Sequence, residues 1–156
     1  MDENTRRNVD QLYDMLCNTL DKKGWKYVKQ EERQQVIFIT GDENIALSVG
    51  IGVEERKQRM YLQSPWDIKV NADKRFDIAI ATCKVNAGIA DGCLDYDVAN
   101  GRLGFRISAS LWESKAGEGL IDYMIGSAYA VATRYSETFD KLNKGEMSIE
   151  EFLAMH

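Results

Sequence analysis

The chain has a single histidine, His156, and it is the last residue. A Ser-His or Cys-His nucleophilic mechanism therefore has no imidazole held inside the sequence to act as base. Zinc sites that use histidine fail on the same count, and Cys17, Cys83 and Cys93 show no C-x-x-C spacing to replace it. An odd number of cysteines without a framework spacing reads as free, buried thiols in a reducing compartment. There is one proline, Pro65, and no apolar run approaching the roughly 20 residues that span a bilayer. The start, Met1-Asp2-Glu3-Asn4, is acidic and carries no apolar segment of a secretory leader. The expected compartment is the cytoplasm, with no membrane partner. Positive charge is also in deficit: 20 Lys and Arg against 25 Asp and Glu give a net charge of −5. Such a chain is repelled on average by polyanions, so a nucleic-acid partner is not expected.

The remaining composition, 44% hydrophobic and 29% charged over 156 residues, suits one domain with a substantial core. The clearest pattern is Ile45, Leu47, Val49, Ile51 and Val53, spaced by Ala46, Ser48, Gly50 and Gly52. Period two predicts a strand with large side chains on one face and small ones on the other. Other strands are expected at 25–29, 36–40, 60–66, 93–98 and 102–112, the last two joined through Asn100-Gly101. Val36 to Thr40 is apolar on both faces, which points to a central position.

Helices are expected at 4–23, from Asn71 or Asp73 through Val85, and at 117–142. Val9, Leu12, Leu16 and Leu20 mark the first. Phe76, Ile80 and Cys83 share one side of the second. Ser148-Ile149-Glu150-Glu151 is a capping box for a short last helix. The order is α-β-β-β-β-α-β-β-α-α, an α+β fold in which helices cover one face of an antiparallel sheet.

No chemical motif survives inspection. Gly50-Ile51-Gly52 lies inside a strand rather than at a strand-to-helix turn, so it is not a dinucleotide fingerprint. Asp91, Asp95 and Asp97 lack the spacing of a calcium loop; solvation of an outward strand face explains Asp95 and Asp97, and cross-strand pairing with Arg102 or Arg106 is also open to them. No cofactor, metal or catalytic residue is expected. What remains is a sheet face of small residues. The candidate partner-binding residues are Gly50, Gly52, Ser108 and Ser110 on that face, with Trp66 and Trp112 at its rim. The partner is a polypeptide, or a second copy of the chain in a homodimer. An alternative is a small-ligand sensor with a pocket between helix and sheet near Tyr96, Arg106 and Tyr135.

Asp95-Tyr96-Asp97 followed by Gly101-Arg102-Leu103-Gly104-Phe105-Arg106, the long helix from Leu120 to Leu142, and the tail Lys144-Gly145-Glu146-Met147-Ser148-Ile149-Glu150-Glu151 resemble the bacterial YbjN-like family. That family shares its fold with type III secretion chaperones. The resemblance implies a non-enzymatic regulator or chaperone-like adaptor, often dimeric, and carries over no catalytic residue.

Overall fold

A computed structural model describes residues 3–112 and 116–156, with side chains from Val9 onward. The element order is α1 (Glu3–Lys22), β1 (Tyr27–Gln30), β2 (Gln35–Gly41), β3 (Ala46–Glu54), β4 (Arg59–Lys69), α2 (Arg75–Asn86), β5 (Cys93–Asp97), β6 (Arg102–Ser110), α3 (Glu118–Lys144) and α4 (Ile149–Met155). All strand pairs are antiparallel, and the sheet runs β1-β2-β3-β4-β6-β5. The expected α+β class and element order are therefore present.

Alternation dictates which side of the sheet meets the helices. Val36 and Phe38, then Leu47, Val49, Ile51 and Val53, then Met60, Leu62 and Trp66, then Leu103, Phe105 and Ile107 are all buried. Their sequence neighbours occupy the other face. α1 lies over β3, α3 crosses β4 and β6, and α2 lies beside β5. α3 presents Ile121, Met124, Ala128, Ala132, Tyr135, Phe139 and Leu142 to the sheet, a stripe of three- and four-residue steps. All of this apolar surface condenses into one core. Among the described residues no helix is long and apolar enough to cross a membrane.

Local chemistry sets the ends. Gly24 takes a left-handed φ of +68° just past α1, and Gly145 takes +75° past α3. Ser148 accepts from the Glu151 N–H while the Glu151 carboxylate accepts from the Ser148 N–H, the expected capping box. Three expectations are corrected. β2 is not central but second from the edge, with only β1 beyond it, and among the described residues nothing covers its outer side; Ile37 is half-buried and Ile39 exposed. Asn71 does not cap α2 with its side chain. Its Nδ2 donates to the Asn143 carbonyl at 2.9 Å while its own N–H donates to Asn143 Oδ1 at 2.8 Å. Of the three free cysteines only Cys17 is buried; Cys83 is exposed and Cys93 half-buried.

Two hairpins turn by the same device. Gln34 and Gln58 each follow a three-residue 3-10 turn and take left-handed backbone, φ +46° and +43°. Each turns its carbonyl onto the next strand or its end: Gln34 accepts from the Val53 N–H and Gln58 from the Leu111 N–H.

The uncovered sheet face as candidate functional site

The helices leave one whole face of the sheet uncovered. Register places Val28, Ile37, Gly50, Gln63, Arg106 and Cys93 in one row across all six strands of that face. A second row contains Gln30, Gln35, Gly52, Tyr61 and Ser108. The face is apolar at the β1–β2 corner, where Val28 is 66% and Ile39 76% exposed. It becomes small and polar in the middle, and charged over β4, β6 and β5.

The face brings together Gly50, Gly52, Ser108 and Ser110, as expected from the sequence. The two glycines are not bare, however. A Cβ at Gly50 would meet the Gln35 amide at 2.6 Å, and one at Gly52 would meet the Gln34 carbonyl at 2.8 Å and the Tyr61 hydroxyl at 3.0 Å. Both positions are buried beneath these neighbours, whereas Ser48, Ser108 and Ser110 are exposed. Trp112, exposed, follows the end of β6. Trp66 is not on this face. It points into the helix layer, 8% exposed, with its ring edge-on to Phe139 at 5.8 Å. Pro65, its neighbour, takes the outer position opposite Gly104. Tyr96, Arg106 and Tyr135 likewise do not line one helix–sheet pocket. Arg106 is on the outer face, and Tyr135 packs in the helix layer against His156 at 5.2 Å. The concavity between helix and sheet lies elsewhere, a groove of about 550 Å³ lined by Leu47, Trp66, Ala132, Ser136 and Asp140.

Electrostatics order the charged half of the face. Arg59 bonds Glu54 at 2.6 Å and lies over the Tyr61 ring at 5.8 Å. Hydrogen bonds from Lys57, and then from Arg59, hold the Glu54 carboxyl below the usual carboxylate range. Burial pushes the Tyr61 phenol upward. Asp95 pairs with Arg106 at 3.4 Å, one of the two cross-strand partners expected for it. Among the described residues no group of three or more His, Cys, Asp or Glu side chains is placed to hold a metal ion.

The two sheet edges differ. At β5 the Asn86 side chain acts as a short strand. Its Oδ1 accepts from the Leu94 N–H at 2.7 Å and its Nδ2 donates to the Leu94 carbonyl at 3.1 Å. This closes the middle of that edge to a further strand. β1, at the other edge, is four residues long and carries exposed Val28.

Sequence reasoning missed a second exposed apolar surface. α2 buries Ile78, Ala81, Thr82 and Val85, so Phe76, Ile80 and Cys83 look outward, Phe76 at 83% exposure. The signal was present as apolar residues on more than one side of the helix, beyond the single stripe that a core-facing helix needs.

No family model matches the chain, and no curated protein matches it. Solved structures do. The ExsC–ExsE complex contains a chain that superposes with a TM-score of 0.60 at 11% identity, over 86% of this chain and 95% of that one. YbjN from E. coli superposes with a TM-score of 0.57 at 13% identity, over 86% and 92%. The HopA1–SchA chaperone–effector complex gives 0.57 at 10% identity, over 90% and 98%. Identity this low carries the architecture and not the site. The helix order, the antiparallel sheet and these superpositions agree that the chain has the YbjN-like fold shared with type III secretion chaperones.

Proposed function

We propose that this chain is a non-enzymatic protein-binding module, a chaperone-like adaptor or regulator working in the cytoplasm, that holds a polypeptide against its uncovered sheet face. The observation that carries the reading is the one-sided sheet itself. Its outer corner exposes Val28 and Ile39, and no element of the described chain covers them. Antiparallel sheets tolerate a wet face, but that face is normally polar. Two of the structural neighbours are solved as protein complexes, one of them a chaperone with its effector, which supports a polypeptide occupant. An extended segment would lie over Ser48, Ser108 and Ser110, with Trp112 at one end and the Gln35 and Tyr61 side chains that cover Gly50 and Gly52 as part of its floor. The β1 edge adds backbone bonding capacity beside it.

The test is quantitative affinity capture from source cells with the wild-type chain, Ile39→Glu and Ser108→Trp. Polypeptides retained by the wild type and lost with both variants, at unchanged circular dichroism, are the expected result. Equal retention by all three removes the face as the site.

A second observation favours self-association at a different surface. The Phe76, Ile80 and Cys83 stripe on α2 is an apolar patch of the kind that marks an interface. Sedimentation velocity should show a dimer that Phe76→Asp converts to monomer. A wild type that stays monomeric across the concentration range removes the homodimer.

A further inference from the structure

We infer that the charged half of the outer face holds a carboxylate-binding pocket, which takes an acidic side chain of the bound segment. This rests on the polypeptide-binding reading above and specifies its partner. The pocket is a concavity of about 260 Å³ between β4 and β6, lined by Arg59, Tyr61, Gln63, Cys93, Arg106 and Ser108 among others. Among the described residues two guanidinium groups line it and no carboxylate does, in a chain whose net charge is −5. The carboxylates facing these cations lie outside the lining: Glu54 on Arg59 and Asp95 on Arg106.

The two arginines differ in readiness. Arg59 is fixed by Glu54 and by the Tyr61 ring, so it is a preset wall. Arg106 is 53% exposed, and its pair with Asp95 at 3.4 Å is long and water-facing. Such pairs contribute little to stability. Arg106 can therefore leave Asp95 for an incoming carboxylate with small loss and gain a charge-assisted, forked hydrogen bond. Ser108 and Gln63 supply neutral polar partners beside it.

Size selects the occupant. The cavity lies below the roughly 300–1,000 Å³ of small-molecule clefts. It suits a side chain delivered by a backbone lying on the sheet. Alternation sets the rest, since a segment extended over the sheet presents every second side chain downward.

The experiment uses three acetylated, amidated, fluorescent octapeptides alternating Val with Glu, Val with Gln, and Val with Lys. Inorganic phosphate serves as the free-anion probe. Anisotropy reads affinity, and 15N chemical shifts locate the contact. The Glu peptide should bind about tenfold more tightly than the Gln peptide, since hydrogen bonds to charged groups are roughly twice as strong as neutral ones. The Lys peptide should bind more weakly still. Shifts should centre on Gln63, Arg106 and Ser108, and added salt should shrink the preference. Arg106→Gln, at an exposed position, should erase most of the preference without moving the unfolding midpoint; Arg106→Lys should keep part of it. Equal binding of the Glu and Gln peptides overturns the acidic pocket and leaves the polypeptide-binding reading standing. If none of the three binds, the face does not hold extended chains and both readings fall. Phosphate shifting the same amides with the affinity of the Glu peptide makes this a free-anion site, which also overturns the inference.

Discussion

Gly50 and Gly52 occupy equivalent positions two residues apart, yet their neighbours make them unequal. Above Gly50 lies the far end of a flexible side chain, the Gln35 amide, which can swing away. Above Gly52 lies backbone, the Gln34 carbonyl, fixed by its hydrogen bond from Val53. Gly50→Ala should therefore change stability by less than about 0.5 kcal/mol, while Gly52→Ala should cost about 1–3 kcal/mol through forced overpacking. Urea denaturation of the two variants decides it, and comparable costs would refute the distinction. His156 permits a second prediction at this scale. Its ring sits 4.8 Å from Phe152 and 5.2 Å from Tyr135, and burial, then the charges of Arg134 and Lys84, lowers its pKa. A lowered folded pKa means the folded state resists protonation of this ring. Its contribution is thus complete above the unfolded value near 6.5 and declines as pH falls below it toward the folded value. The urea midpoint should drop between neutral and mildly acidic pH, and His156→Gln should reduce that drop; an unchanged drop assigns the effect to other groups.

At the scale of elements, the two edges of the sheet set the expectation. Asn86 occupies the backbone groups of Leu94, so β5 does not offer a continuous template there. Asn86→Ala would free one N–H and one C=O on an edge strand. It should lower stability by about 1–2 kcal/mol and raise the tendency to aggregate. Thermal unfolding with light scattering reads both; a variant as stable and as soluble as the wild type would mean the amide is dispensable. Elements were also where the sequence was most legible. The period-two run at 45–53, the stepped apolar residues of α1 and α3 and the Ser148 capping box each depend on neighbours within a few residues. Asn71 and Asn143 show the opposite case. They are 72 residues apart and meet only because α3 ends beside the link between β4 and α2. α2 was half legible: its apolar residues were visible, but which stripe faced the core depended on tertiary packing.

For the molecule as a whole, fold and site were unequally written in the chain. The one-sided sheet follows from alternation alone. The small, polar character of the face proposed as a place of contact was legible too, since such residues recur on it. The position of Trp66 was not recoverable from its location near a strand end, because one residue of register decides which side of a sheet a side chain joins. The cationic pocket was equally hidden: Arg59 and Arg106 lie on strands that are distant in sequence and adjacent only through the β4–β6 pairing.

The division of the sheet into a packed side and a free side has a consequence for how this protein can change. Residues of the buried side are bound to the fold by close packing, and even a one-methylene change there is felt. Residues of the open side, apart from Gly50, Gly52 and Gly104 with their close neighbours, contribute little to that packing. Alternate codons along each strand are therefore subject to different demands. A lineage, or an engineer, could rewrite the open surface at Val28, Ile39, Gln63, Arg106 or Ser108 while leaving the folding instructions intact, reading one message from one set of alternate positions in a strand and another from the other set.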